Sequence, residues 1–137
     1  GYRLRVAGDG PYRDSLEACA RAEDVDDRVE FLGYVPDSEL PNQYAAADVF
    51  ISMSSIEAAG ITVGEALAAE TPAVVRPMKG LRHWARRDDC ISAEPASLAD
   101  AVARIRSQNA PSEPLPTWEQ AVDELESIYR NVVSSDG

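Results

Sequence analysis

The sequence predicts an α/β fold in which a parallel sheet is covered by helices on both faces. Three observations carry that reading. Short apolar segments alternate with longer segments of helical spacing. The short segments are apolar on both faces, as strands between two helical layers are. Glycine- and serine-containing turns follow several of them, at the strand ends where such folds bind ligands.

The elements follow in order. Leu4 to Ala7 reads as a first strand, and Gly8-Asp9-Gly10-Pro11 as the turn behind it. Pro11 suits a first helical turn, where its missing N–H costs nothing. Tyr12, Leu16, Cys19 and Ala20 then recur at helical spacing. Val29 to Leu32 is a second strand closed by Gly33, and a helix starting at Asp37 or Ser38 carries Leu40, Tyr44 and Ala47. Val49, Phe50 and Ile51 form a third strand, Ile61 to Ala69 a helix, and Ala73 to Val75 a fourth strand. A short helix over Leu81 to Arg86 and a weak strand over Cys90 to Ala93 come next. Leu98, Ala101, Val102 and Ile105 mark a further helix. Residues 109–116 hold three prolines and read as a surface crossing. Thr117, with Gln120 three residues on, is a capping box for the last helix. The stripe of that helix is Trp118, Ala121, Val122, Leu125, Ile128, Tyr129 and Val132. Residues 1–110 are thus expected to form the α/β body, and residues 111–137 a crossing and a helix packed on the same domain.

The chain has 137 residues, 45% of them hydrophobic, which suits one domain with a real core. Its formal charge of −11 argues against nucleic acid and anionic membrane as partners. Lys79 is the only lysine among 13 basic residues. An acidic, lysine-poor surface suits a protein working in high salt, where self-repulsion is screened; an ordinary acidic cytosolic protein is the other reading. Cys19 and Cys90 lie far apart and read as buried free thiols rather than a metal site or disulfide framework. No signal peptide or membrane-spanning run is visible, so a cytoplasmic site is expected.

The chemistry concentrates in residues 54–69, where two glutamates stand eight residues apart, one in a small-residue loop and one inside the helix it enters. A helix N-terminus attracts phosphate, and carboxylates accept hydrogen bonds from sugar hydroxyls. Glu65 has Ile61, Thr62, Ala68 and Ala69 as helix neighbours. A carboxylate on so apolar a face needs a partner: ribose hydroxyls, an arginine or solvent. Glu57 is either a loop-capping carboxylate or a ligand to the substrate. The Gly8 to Pro11 turn is either a tight connection or a place where backbone approaches a ligand.

Five segments together resemble a known family. They are Leu4-Arg5-Val6-Ala7-Gly8-Asp9-Gly10-Pro11; Val29-Glu30-Phe31-Leu32-Gly33-Tyr34-Val35-Pro36; Ala47-Asp48-Val49-Phe50-Ile51; Glu57 through Glu65-Ala66-Leu67-Ala68; and Thr71-Pro72-Ala73-Val74-Val75. In order and spacing they resemble the C-terminal half of a retaining glycosyltransferase of group 1, also called family 4, with the two-domain GT-B architecture. The resemblance implies a Rossmann-like donor-binding domain whose first strand is missing, and transfer of a sugar from a nucleoside-diphosphate sugar with retained anomeric configuration. It places Glu57 by the donor sugar as the catalytic carboxylate, and Glu65 on the ribose. It puts the backbone N–H groups of Gly60, Ile61 and Thr62 on sugar or phosphate oxygens, Tyr34, Val35 and Pro36 near the base, and Gly8 and Gly10 on the border of the cleft. No cofactor or obligatory metal is implied, because positive groups and the helix dipole can neutralise the diphosphate. The partners implied are the nucleotide-sugar donor, an N-terminal acceptor domain, and a second copy of the chain if an exposed sheet edge is left rather than closed by direct strand pairing. By itself such a domain is expected to bind nucleotide weakly and turn over nothing.

The sequence departs from the family in places. Glu70 stands where a glycine usually precedes the Thr-Pro pair, and Ala59 where a bulkier residue is common. The usual Gly-Gly-x-x-Glu loop reads Lys79-Gly80-Leu81-Arg82-His83-Trp84, with His83 near the Glu position and reading as a surface residue. A non-catalytic binding or partner domain is the second reading, and another GT-B enzyme such as a sugar-nucleotide epimerase the third. If the acidic surface is a high-salt adaptation, circular dichroism will show the fold lost as salt is dialysed away; full stability in low-salt buffer would reject it.

Overall fold

Strands and helices form close to where the apolar spacing places them, in a computed structural model that describes residues 1–107 and 114–135. The chain divides into two units, residues 1–43 and 44–137.

In the first unit, β1 (Leu4–Ala7) pairs in parallel with β2 (Val29–Gly33), and α1 (Arg13–Ala22) connects them. The register runs Leu4 to Val29, Arg5 to Glu30 and Val6 to Phe31, then slips so that Ala7 faces Gly33. Gly33, at φ 67°, closes β2 and accepts the Gly8 N–H at 2.8 Å. Helix α1 turns Ala20 into the unit. Cys19, one residue and about 100° round the helix, is exposed, so only Cys90 bears out the expected pair of buried thiols. The expectation of strands buried on both faces also fails for β1, whose residues are largely exposed. Helix α2 (Leu40–Ala45) runs across the boundary between the units.

The second unit holds the core. Strands β3 (Phe50–Ser52), β4 (Ala73–Val75) and β5 (Cys90–Ser92) form a parallel sheet with β4 central and fully buried. Side chains alternate across a strand, so β4 serves two clusters. Ala73 and Val75 pack with Val63, Leu67, Leu81 and Cys90 on the side of α3 (Ile61–Ala68). Val74 packs with Ile91, Ala93, Ala101, Val102 and Ile105 on the side of α4 (Leu98–Ile105). Helices on both faces of a parallel sheet are therefore realised here. The five strands form two separate ladders, β1-β2 and β3-β4-β5, and do not close into one.

The helix expected over residues 81–86 is shorter, a 3₁₀ turn at Trp84–Arg86. Three residues per turn bring Leu81 and Trp84 onto one side, and both turn inward. The proline-rich crossing falls largely outside the described residues, though Leu115 packs on the α3-side cluster. Helix α5 (Trp118–Ser135) starts with the expected capping box: the Thr117 N–H donates to Gln120 Oε1 at 2.8 Å, and the Gln120 N–H to Thr117 Oγ1 at 3.2 Å. Its stripe is exposed from Trp118, at 89%, to Tyr129, at 64%, and the Val132 side chain lies outside what is described. No described helix is long and apolar enough to cross a membrane.

The Glu70 departure has a structural cost. Past the end of α3, the Glu70 N–H donates to the Leu67 carbonyl at 3.0 Å and the Thr71 N–H to the Ala66 carbonyl at 2.9 Å. This is a Schellman closure, whose first residue past the cap is left-handed and favours glycine. Glu70 adopts φ 60° there. The left-handed backbone costs a residue with a Cβ roughly 1–2 kcal/mol, part of which glycine returns through its freer unfolded state. Glu70→Gly is therefore expected to raise stability by about 0.5–1 kcal/mol in urea denaturation; an unchanged or lower midpoint would contradict this.

Candidate functional site

The loop leaving β3 enters α3 through a tightly bonded turn. Ser54 Oγ donates to the Ile56 carbonyl at 2.7 Å and accepts the Ile56 N–H at 3.3 Å. Glu57 folds back on its own loop, its Oε1 accepting the N–H groups of Ala58 at 3.0 Å and Gly60 at 3.2 Å. Gly60 caps α3 in the left-handed region, at φ 66° and ψ 49°. The next two amides, of Ile61 and Thr62, lie in the first helical turn and take no partner among the described residues. The helix entrance thus presents two free donors beside a half-buried carboxylate, where the helix dipole is positive.

Glu65 stands one turn on and is exposed. Its partner is one that sequence reasoning did not name: the Tyr44 hydroxyl donates to Glu65 Oε2 at 2.9 Å. Tyr44 is buried at 8% exposure, with its ring edge-on to Phe50 at 5.5 Å between centroids. Its carbonyl accepts the hydroxyl of buried Thr71 at 2.7 Å. Burial first, and then the hydrogen bond and charge of Glu65, push the Tyr44 hydroxyl up to about 12. The thiol of Cys90 rises to about 12 as well, through burial and then the charge of Asp89, with Arg87 opposing. That arginine grips Asp89 through both carboxylate oxygens, at 2.8 and 2.9 Å.

Residues 78–84 form the floor beneath the loop. A methyl group at Gly80 would overlap the Glu57 carbonyl oxygen. One at Gly60 would lie 2.6 Å from Leu81 Cδ2 and 3.0 Å from Trp84 Nε1. One at Gly64 would lie 2.9 Å from Trp84 Cη2. The indole therefore lies flush against the first turn of α3, and its N–H donates to the Ala59 carbonyl at 2.8 Å. The sequence held a signal for this contact, since Gly60 and Gly64 are four apart on one helix face. It held none for the identity of the partner. His83 is exposed, its ring 4.8 Å from that of Trp84.

Other residues named from the sequence lie in the first unit. Gly8, at φ 115°, and Gly10 follow β1, and the Gly10 N–H donates to Asp9 Oδ1 at 3.2 Å. Tyr34, Val35 and Pro36 follow β2; Tyr34 and Pro36 are exposed and Val35 is half-buried. The Gly8–Gly33 bridge brings these two loops together at the carboxyl ends of β1 and β2. Arg13 braces the same place, donating to the Phe31 carbonyl at 3.2 Å. The structure thus gathers Glu57, Gly60, Ile61, Thr62 and Glu65 in one unit, and Gly8, Gly10 and residues 34–36 in the other.

Residues 1–121 match the family described as Glycosyl transferases group 1. The chain belongs to that family. Among its relatives is the alpha-monoglucosyldiacylglycerol synthase of Streptococcus pneumoniae, 44% identical over 72 residues, a match covering 53% of this chain and 16% of that protein. Several solved structures share the fold, two of them as follows. Sucrose-phosphate synthase from Thermosynechococcus elongatus superposes with a TM-score of 0.72 at 24% identity, over 97% of this chain and 39% of that one. Anabaena HepE in complex with UDP-glucose gives 0.69 at 22% identity, over 77% of this chain and 31% of the other. The chain thus spans well under half the length of each of these proteins. Its mixed α/β architecture is that of GT-B enzymes, in keeping with a Rossmann-like C-terminal half.

The Tyr44–Glu65 bond has a pH signature. Tyr44 moves from 10.0 to about 12 and Cys90 from 9.0 to about 12 on folding. Both folded values are raised, so the linked stability is fully present below the unfolded values and is lost as pH climbs through the folded ones. Tyr44→Phe removes one of the two contributions, and the fall in stability between pH 10 and about 12 is expected to become shallower in denaturant titrations. An identical pH slope in wild type and variant would show that folding does not raise the Tyr44 hydroxyl.

Proposed function

We propose that this chain is the donor-binding part of a retaining glycosyltransferase, which moves a sugar from a nucleoside-diphosphate sugar to an acceptor. The observation that carries the reading is the entrance to α3. There Glu57 Oε1 is fixed by two backbone amides while the amides of Ile61 and Thr62 stay free.

The chemistry follows from that arrangement. Glycosyl transfer builds negative charge on the departing diphosphate, and donors fixed before the reaction stabilise that charge without reorganising. The Ile61 and Thr62 amides, at the positive end of α3, fill this role, with the Gly60 backbone shaping their approach. Glu57, with one oxygen held by its loop, offers the other to a hydroxyl of the donor sugar or to positive charge developing at its ring. Glu65 has Oε2 on Tyr44 and keeps Oε1 for ribose hydroxyls. Gly8, Gly10, Tyr34, Val35 and Pro36 keep the roles that the family resemblance gives them. Support comes from group 1 membership and from a fold neighbour that carries UDP-glucose.

The second reading, a binding or partner domain without turnover, draws on a departure from the family pattern, Glu70 where a glycine is usual.

Saturation-transfer NMR on the full natural protein separates the two readings, using UDP, GDP, ADP and their sugar conjugates. A charge-assisted hydrogen bond contributes about 1.5–3 kcal/mol, so Glu65→Ala is expected to weaken the preferred nucleotide about tenfold to a hundredfold and to erase its ribose contacts. Glu57→Gln should bind nucleotide normally and lose turnover. Failure of every nucleotide to bind the wild-type protein would remove the leading reading.

A further inference from the structure

The turn beneath the acidic loop is the most basic stretch of an acidic protein. Arg76, Lys79, Arg82, Arg86 and Arg87 are five of the 13 lysines and arginines, and no Asp or Glu lies among residues 76–87 of a chain with 24 acids. Two of the five are engaged. Arg87 grips Asp89, and Arg76 lies 4.0 Å from Glu94. Lys79, Arg82 and Arg86 are exposed and form no ion pair among the described residues.

Packing explains why these three point outward. Leu81 is fully buried and Trp84 is packed against Gly60 and Gly64, so the residues between and beside them are turned to solvent. The same packing fixes where the turn that carries them lies. Gly80 abuts the Glu57 carbonyl and the Trp84 indole bonds to the Ala59 carbonyl, so the basic turn is joined at two points to the loop that opens α3.

We infer that Lys79 and Arg82, with Arg86 behind them, form a phosphate-binding bank for the donor's diphosphate. The inference rests on the donor-site reading above. Neighbouring cations repel one another, and with no carboxylate paired to them an anion is the ligand that relieves the repulsion. Arginine presents a fork that matches phosphate oxygens, and lysine adds a compact point charge. The net charge of −11 repels extended polyanions, which a small diphosphate beside this turn escapes. The bank belongs to this chain rather than to the family pattern, because Lys79 and Arg82 stand within the segment where many members have Gly-Gly-x-x-Glu.

The test compares wild type with a Lys79→Ala/Arg82→Ala double variant of the full natural protein. UDP, GDP and ADP are titrated against their parent nucleosides, and inorganic pyrophosphate is titrated alone. Two exposed charge-assisted contacts predict about tenfold weaker diphosphate binding with a flatter dependence on salt. Nucleoside affinity should stay unchanged, and Lys79→Arg should bind as wild type does. Equal diphosphate affinity in wild type and variant overturns the inference and leaves the donor-site reading standing. If no nucleotide binds the wild type, the donor-site reading has failed and a bank for the donor's diphosphate falls with it. Loss confined to sedimentation with phosphatidylglycerol vesicles, with pyrophosphate and nucleotide binding intact, overturns it in favour of a lipid surface.

Discussion

The close approach of Trp84 to Gly60 and Gly64 is the constraint on which the rest of the site depends. Neither glycine leaves room for even a methyl group, so the indole lies flush on the first turn of α3. That contact holds the helix entrance at a set distance from the floor of residues 78–84, and the Trp84–Ala59 bond fixes its rotation. Left-handed Gly60 then opens the helix with the Ile61 and Thr62 amides unbonded among the described residues, and Glu57 closes the loop by accepting the Gly60 N–H. A bulkier residue at either glycine would push the indole out and undo these relations together.

A second set of contacts ties Glu65 to the core. Thr71 bonds to the Tyr44 carbonyl, Tyr44 bonds to Glu65, and the Tyr44 ring packs on Phe50 of β3. Each of these groups, the Thr71 hydroxyl, the Tyr44 carbonyl and the Tyr44 hydroxyl, has a partner, which is the condition for burying such groups without a large penalty. The carboxylate on the α3 face is thereby oriented by a buried hydroxyl while Glu65 itself stays exposed. Rigid support from below with access from above is what a binding carboxylate needs.

The departures from the family pattern have different physical meanings. Glu70 keeps the left-handed closure that a glycine would make more easily, because the two backbone bonds of the Schellman turn hold it there. The Lys79 to Trp84 segment does more than tolerate change. It places a large ring under the helix and two exposed cations, Lys79 and Arg82, at the surface.

The sequence by itself determined the order and type of nearly every element, the capping box at Thr117, and the string of motifs that marks group 1. These features are local: periodicity, caps and turn residues act within a few positions, so a linear reading captures them. The exposure of Cys19 and of β1 was not legible, because burial depends on what covers a face rather than on the face itself. The partners at the site were not legible either. Tyr44 meets Glu65 across 21 positions, Trp84 meets Ala59 across 25, and Thr71 meets Tyr44 across 27. Periodicity shows which side chains turn inward; only the packing of α3 and the 78–84 turn around β4 decides which of them touch.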